Sequence, residues 1–399
     1  MVKVWAVEPY YGGSHRHFLD GLAQHSGHDF TLLALPGRHW KWRMYGGAVE
    51  LAAQAERLLA SGERPDLFFV SEMLDLPVFL ATLSRGGRPA GLGPDAAPLG
   101  GRGSRVPTIV YFHENQLTYP LPPGVERDLG YGFKNLTTAL AGDAVLFNSE
   151  HHRGEFLAAA RGLIAGMPDA VPAWAVDEVA GKAAVLPLGC DLRALDEHRD
   201  RGLAEAAAGR WGDASAGPLL VWNQRWEYDK APGDLFAALR VLHERGLAFR
   251  LAVAGSGAAV PGEEFTRARE DLADHVVQWG RLADYADYAG LLWAADVVAS
   301  TAIHEFFGVA VLEAVYCGCR PVLPRRLSYP ELIPAEAHGE VLYGEGGLVD
   351  ALTRALAEPQ AWPADWQRTW AARFDWGSMK TRYDDVISDC AARGAGAAR

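Results

Sequence analysis

The sequence predicts an α/β protein made of two Rossmann-like, doubly wound domains that face a cleft. Three observations predict it. Short apolar runs alternate with helical patterns along the chain, and most are followed by Gly, Pro or Ser. Strands buried on both faces of a parallel sheet read this way. Eleven such runs are present, against the about six strands of one doubly wound sheet, so two sheets are expected. The alternation pauses once, at a polar helical stretch between Leu188-Gly189 and Ala216, before the fresh run Leu219-Leu220-Val221-Trp222.

In chain order the expected strands are Val2–Val7, Asp29–Ala34, Leu67–Ser71, Thr108–Tyr111, Ala144–Phe147 and Ala184–Leu186, then Leu219–Asn223, Arg250–Ala254, Val276–Trp279, Val297–Ser300 and Pro321–Leu323. The domains are expected over 1–189 and 190–375, with a helix over 376–392 returning to close the first. Arg85–Arg105 is rich in Gly, Pro and Ala and reads as a mobile excursion. The tail 391–399 reads as disordered. No internal repeat is visible.

With 399 residues and 49% hydrophobic content, each half can bury a core of its own. A net charge of -12 argues against bulk electrostatic binding of nucleic acid and leaves room only for a local basic patch. Of the cysteines only Cys317 and Cys319 lie close together, and no second pair completes a zinc site. They read as buried or free thiols in a reducing cytosol. Met1–Val7 reads as a first strand, not a signal peptide. No run approaches the about eighteen apolar residues that span a bilayer. The expectation is a soluble cytoplasmic protein with no membrane partner. Nothing in the sequence points to an oligomeric state.

The strongest chemical signal runs from Ser300 to Ala314. Glu305 falls in the loop after an expected strand, and Glu313 falls inside the next helix. Between them Phe307-Gly308-Val309 marks the helix start, whose free amides suit a phosphate. One carboxylate can then reach sugar hydroxyls and the other ribose hydroxyls; a chance acidic pair is the plain alternative. The second signal, Trp222 to Lys230, follows the first strand of the second half. Asn223, Arg225 and Lys230 lie on a loop entering a helix, where two cations can neutralise a diphosphate leaving group. A solvated charge run is the plain alternative. Gly255, in Gly255-Ser256-Gly257, and Gly280, in Trp279-Gly280-Arg281, are weaker signals, each readable as a simple turn.

In the first half, Gly12 and Gly13 let the backbone approach a ligand and open a helix before His15. His113-Glu114-Asn115-Gln116 is a polar cluster at a strand end, where His113 can bond the donor sugar or position the acceptor. Without a second His at helical spacing it is poor evidence for zinc, so no metal site is expected. Asn148-Ser149 ends another strand and equally suits a helix cap. Arg38-His39-Trp40-Lys41-Trp42-Arg43 alternates cations with indoles, which can pin phosphates and stack bases, or can form an amphipathic surface loop.

As a set, Arg225, Lys230, Glu305 and Glu313 resemble the donor-site pattern of the large retaining GT-B glycosyltransferase family. That resemblance implies that Arg225 and Lys230 hold the donor diphosphate, Glu305 the sugar hydroxyls and Glu313 the ribose. The first half resembles a narrower family, the tRNA-queuosine mannosyltransferases. The resemblance rests on Glu8-Pro9-Tyr10-Tyr11-Gly12-Gly13-Ser14-His15, Leu35-Pro36 with Trp40-Lys41-Trp42-Arg43, and Tyr111 to Pro120. It rests also on Arg127-Asp128 with Tyr131-Gly132, and on Ala144 to Ser149; His113-Glu114-Asn115-Gln116 is its most specific mark. It implies GDP-mannose as donor, the cyclopentene-diol of queuosine in the anticodon of an aspartate tRNA as acceptor, and retention at the sugar. It also implies an acceptor or RNA-binding role for His15, Arg38, Trp40, Lys41, Trp42, Arg43, Glu114, Asn115 and Gln116.

The mechanism this implies is front-side displacement. The diphosphate leaves from the face that the acceptor hydroxyl approaches, and cations and helix-start amides replace a metal, so no cofactor is expected. Three other readings stay open at this point: a transferase with a lipid or small-molecule acceptor, a nucleotide-sugar epimerase of the same fold, and a non-catalytic RNA- or sugar-binding protein. Guanine over uracil or adenine, and mannose over galactose or glucose, likewise stay open on the residues alone.

Overall fold

The computed structural model describes residues 1–85, 106–121, 124–255, 257, 262–359 and 364–396. The Gly- and Ala-rich stretch expected as an excursion lies, at 86–105, outside the described residues, as do Ser256 and 397–399. The chain divides into two compact units, Met1–Gly189 with Met379–Arg399, and Cys190–Ser378.

The first unit carries β1 (Lys3–Tyr11), β2 (Asp29–Pro36), β3 (Leu67–Ser71), β4 (Thr108–Phe112), β5 (Ala144–Phe147) and β6 (Ala183–Val185). They pair in parallel in the order β2-β1-β3-β4-β5-β6. The second unit carries β7 (Leu219–Trp222), β8 (Arg250–Ala254), β9 (Val276–Gly280), β10 (Val297–Ala299), β11 (Arg320–Pro324) and β12 (Leu342–Tyr343). Their order is β12-β11-β10-β7-β8-β9, again all parallel. In each sheet the chain winds outward in one direction and then jumps back past its first strand. The reversal falls between β1 and β3 in one unit and between β7 and β10 in the other, and ligands bind at the carboxyl ends of strands at such a point.

The strands form where apolar residues run without alternation, because helices cover both faces. In the first unit Trp5, Val7, Phe68, Val70, Phe79, Phe112, Phe147 and Phe156 share one core. In the second, Trp222, Phe236, Phe249, Phe265 and Val297 do so. Burial at about 25 cal/mol per Å² of apolar surface makes these clusters the main stabilising contribution.

Three expectations need correction. β1 does not stop at Val7 but runs through Pro9 to Tyr11, so the Tyr10-Tyr11 pair lies in the strand rather than after it. Pro9 is tolerated because its missing N–H falls where the β1–β2 register shifts, between Glu8 and Tyr11. β12 has only two residues, too few to leave a sequence pattern. The closing helix runs Trp376–Gly396, so 391–396 are helical rather than disordered. Gly394 presses on Pro107, where a side chain would come within 2.7 Å of the proline ring. Earlier in this helix the buried Tyr383 donates its hydroxyl proton to the Pro187 carbonyl at 2.8 Å, and Asp384 accepts from Ser26 and from the Gly27 amide.

Candidate active site

In the second unit the site grows from the ends of β7 and β10. The loop after β7 passes Asn223 and Arg225 and tightens into a 3-10 turn, Tyr228–Lys230, before the helix Pro232–Glu244. The loop after β10 brings Glu305 and Gly308 to the helix Val309–Tyr316. The two loops are tied together: the Ile303 amide donates to the Asp229 carbonyl, and the Thr301 hydroxyl to the Lys230 carbonyl. Lys230 is buried, and its ammonium donates to the His304 carbonyl at 2.9 Å and contacts Asp229 at 3.0 Å and Glu305 at 3.2 Å. Burial alone would lower the amine's pKa, but Glu305 and Asp229 more than reverse this and hold it above its usual value. It is an ammonium at neutral pH. Burial would likewise raise Glu305, yet the Lys230 charge and the Phe307 amide, at 3.2 Å, hold it below its usual value. Arg225 is largely exposed, pairs with Glu227 at 3.2 Å and lies near enough to Lys230 to oppose its charge.

Gly308 has φ +109, a left-handed conformation strained for any residue with a side chain, and it caps the helix that starts at Val309. The turn aims the helix-start amides at the end of the sheet, beside Glu305 and Lys230. Glu313 sits one turn in and accepts the Tyr288 hydroxyl proton at 2.6 Å. Asn223 donates to the same Tyr288 oxygen at 3.0 Å and to the Ala310 carbonyl at 2.7 Å. Burial pushes the Glu313 carboxyl up to about 7, and the Tyr288 hydroxyl offsets this only in part. The GT-B resemblance expects Glu313 to accept ribose hydroxyls, and an ionised carboxylate accepts them more strongly than a neutral carboxyl. Donor affinity is therefore expected to rise as pH increases through about 7. Glu313→Gln is expected to remove that dependence and weaken nucleoside diphosphate binding by about tenfold or more. Titrating nucleoside diphosphates into both proteins at pH 6 and pH 8 checks this; equal affinities for the wild type at the two values would refute it.

At the ends of β8 and β9, Gly255 and Gly280 meet through an amide-to-carbonyl bond of 3.2 Å. Gly255 has φ +143, and a side chain there would lie 2.1 Å from the Gln224 carbonyl oxygen, so only glycine fits. Phe307 is buried against Phe374, 5.5 Å between ring centroids. Its amide, rather than its ring, faces Glu305.

In the first unit the reversal point holds a buried acid–imidazole cluster. Glu8 is on β1, His15 follows the Gly12-Gly13 turn in the helix Gly13–His25, Glu72 follows β3 and His113 follows β4. His15 Nδ1 lies 3.1 Å from Glu8 Oε2, and its Nε2 lies 3.9 Å from Glu72 Oε1. Glu72 accepts the backbone amides of His113 and Glu114 at 3.1 and 3.2 Å. Burial would lower His15, but Glu8, with help from Glu72 and Glu114, lifts it to about 9. Burial pushes Glu72 up to about 8, against the opposing charge of His15. The His113 ring lies 4.3 Å from the His15 ring, and its Nδ1 is buried without a hydrogen-bond partner. Burial and the neighbouring His15 hold it well below the usual imidazole value. His113 is thus a neutral ring held over a protonated one, suited to hydrogen bonding with a hydroxyl.

The remaining first-half candidates divide. Glu114 and Gln116 stay at the strand end, joined by a 3.0 Å bond from Gln116 Nε2. Asn115, by contrast, is fully buried, and its Oδ1 accepts the amides of Leu117 and Thr118, each at 3.0 Å. Its side chain shapes the turn rather than facing an acceptor. Asn148 is also buried, bonding the His113 carbonyl at 3.1 Å and His152 at 2.9 Å. Gly12 packs on Gly37, and Gly13 has φ +53. Trp40-Lys41-Trp42-Arg43 is not a loop: it is the first turn of the helix Trp40–Ala60, with Arg38 and His39 preceding it. Sequence reading gives no role to Glu8, Glu72, Asp229 or Tyr288. A carboxylate inside the apolar strand Trp5-Ala6-Val7-Glu8 is a signal that could have found the first.

Among the described residues no group of three His, Cys, Asp or Glu is arranged to hold a metal ion, and no helix is long and apolar enough to cross a membrane. Residues 3–90 and 95–190 match a family model described as tRNA-queuosine alpha-mannosyltransferase N-terminal, and 217–358 match one described as glycosyl transferases group 1. A tRNA-queuosine alpha-mannosyltransferase of Drosophila melanogaster is 34% identical over 332 residues, 83% of this chain and 81% of the relative. A GDP-mannose-dependent alpha-(1-6)-phosphatidylinositol dimannoside mannosyltransferase of Mycobacterium tuberculosis is 26% identical over 347 residues, 86% of this chain and 78% of the relative. The crystal structure of Anabaena HepE in complex with UDP matches with a TM-score of 0.65 at 15% identity, covering 98% of this chain and 100% of that one. The two parallel-sheet units are those of the GT-B fold. The chain is a glycosyltransferase, and it belongs to the tRNA-queuosine alpha-mannosyltransferase family.

Proposed function

We propose that the chain transfers mannose from GDP-mannose, with retention, to the queuosine nucleoside in the anticodon of tRNA(Asp). The observation that carries the donor half is the buried Lys230 ammonium set between Glu305 and a helix start, with Arg225 nearby. GDP-mannose is supported by the name of the Mycobacterium tuberculosis relative, and queuosine tRNA by that of the Drosophila relative. A diphosphate entering beside Lys230 takes over part of its charge from Glu305. Glu305 is then available to accept from the sugar hydroxyls. The bond between C1 and the diphosphate oxygen breaks as the acceptor oxygen bonds C1 on the same face, and the leaving phosphate oxygen takes the acceptor proton. Lys230, Arg225 and the amides after Gly308 stabilise the charge that develops on the diphosphate. This differs from glycoside hydrolysis, in which two carboxylates flank the bond. His113 bonds a hydroxyl of the acceptor. The charge balance assigns no step to a metal.

The test is transfer of label from radioactive GDP-mannose to queuosine-containing tRNA in the presence of EDTA. Label is expected in the RNA, on an alpha linkage, with GDP released. Label recovered in a lipid extract instead would favour the acceptor class named for the Mycobacterium tuberculosis relative. Donor turnover without any acceptor would favour an epimerase. Either outcome, or a requirement for added metal, overturns the corresponding part of the proposal.

A further inference from the structure

We propose that the exposed edge formed by the starts of the helices Trp40–Ala60 and Leu129–Ala141 is a stacking platform for the unpaired bases of an RNA loop. The inference rests on the RNA acceptor proposed above and names the surface that would hold it.

The edge is built from rings. Tyr131 lies 5.1 Å from Trp40 and 5.4 Å from Tyr45, centroid to centroid, so the two helix starts form one aromatic cluster. Trp42 lies along its own helix over Gly46, where any side chain would meet the indole at 2.4 Å. It remains 63% exposed. Leu129 and Phe133, one turn apart on the second helix, are also exposed, Phe133 by 45%. Large apolar side chains left in water on two adjoining helix ends mark an interaction surface.

Charge selects the partner. From Phe30 to Val49 the chain has no carboxylate but carries Arg38, Lys41 and Arg43, in a protein of net charge -12. Lys41 lies over the Trp40 ring at 5.7 Å; Lys134 lies over the Tyr45 ring at 4.3 Å but is already paired with Asp75, so the free charge of the edge comes from Arg38, Lys41 and Arg43. The nearby Asp128 is occupied in capping the second helix, accepting the Gly130 amide at 2.9 Å. Cations interleaved with aromatic faces hold a polyanion whose bases are unstacked, because every base offers a face and every phosphate a charge. A duplex offers phosphates but no free base faces.

The edge also connects to the polar strand end of the same unit. Arg127, at the foot of the second helix, donates to the carbonyls of Gln116 and Tyr119 at 2.7 and 2.6 Å. Asn135, in that helix, accepts the Gln116 amide at 2.8 Å and donates to the Glu72 carbonyl at 3.0 Å. One helix therefore places the platform and braces the turn that carries His113. Bases stacked on the edge are held in register with that turn.

Fluorescence anisotropy on the full chain tests the platform. The probes are an anticodon stem–loop without queuosine, a blunt RNA duplex of equal length, and vesicles of phosphatidylcholine with phosphatidylserine. Tyr45→Ala, Trp42→Ala and the double variant are each expected to weaken stem–loop binding by about five- to hundredfold. GDP affinity and the melting temperature of each variant are expected to match the wild type. The duplex should bind at least about tenfold more weakly than the stem–loop. Unchanged stem–loop binding by the double variant would overturn the proposal. So would equal binding of duplex and stem–loop, or capture of the vesicles in place of RNA. Because the probe lacks queuosine, weakened binding by the variants would stand even if mannose transfer to queuosine tRNA failed. Conversely, transfer without any effect of the variants would remove the platform alone.

Discussion

Lys230→Met is expected to cripple transfer and to destabilise the fold by about 3–5 kcal/mol. The methionine fills the space but leaves Asp229 and Glu305 buried beside each other without their shared cation. One of the two must then take up a proton. The loss in turnover is expected to be about 10²–10³-fold or more, the usual cost of removing one preorganised charge from a developing anion. Arginine should not restore activity, because three oxygen contacts are already arranged around a compact ammonium in a buried pocket. Single-turnover GDP release and urea unfolding on the same samples separate the two effects. A variant that keeps wild-type turnover with saturating donor would remove Lys230 from the chemistry.

The second large effect is expected from Glu8→Gln. In the wild type Glu8 is the main partner holding the His15 proton, at a pKa of about 9 against an ordinary 6.5. A histidine whose folded pKa is raised stabilises the fold fully below its unfolded value, and that stability fades as pH rises through the folded value. The window is therefore pH 6.5 to 9, and about 3 kcal/mol is at stake. Glu72 acts in the same direction. Its carboxyl is pushed up by burial, so the folded state holds its proton longer, and stability falls as pH climbs from 4.5 toward about 8. His15 and Glu72 lie 3.9 Å apart and titrate together, so the slope belongs to the pair. The wild type is expected to be more stable in urea at pH 6 than at pH 9, and Glu8→Gln should lower stability at pH 6 and flatten the slope. With the His15 charge weakened, His113 should also be easier to protonate, which moves the acid limb of the pH–rate profile upward. Identical urea slopes for the two proteins would show that Glu8 does not hold the proton.

Much of this was legible before any coordinates. Parallel strands covered on both faces read as unbroken apolar runs, so Leu67–Ser71, Ala144–Phe147 and Arg250–Ala254 match their observed bounds. The polar residues following such runs fall at strand ends, which is why Lys230, Glu305, His15 and His113 all lie beside a sheet reversal. What stayed hidden are convergences over long separations. Tyr288 joins Asn223 across 65 positions and Glu313 across 25, and nothing local marks it. Glu72 is an isolated acid after a strand, and its task of holding two amides of the His113 turn emerges only once β3 and β4 are paired. Asn115 shows the opposite failure. A polar residue inside a polar cluster looked available for a ligand, yet an Asx turn consumed it. The basic-aromatic segment could read as a loop because cations interrupt its apolar pattern, but Trp42 and Tyr45 lie three apart, a helical spacing.

The proposed transfer depends on a cationic recess in the second unit that takes hold of a sugar-linked pyrophosphate. Isothermal titration of the purified chain with GDP-mannose, in buffer containing EDTA, measures this without recourse to any acceptor. Saturable one-site binding is expected, reproduced by GDP and lost in Lys230→Met at a pH where that variant remains folded. No binding of GDP-mannose or of any other sugar nucleotide, or undiminished binding by folded Lys230→Met, would contradict it.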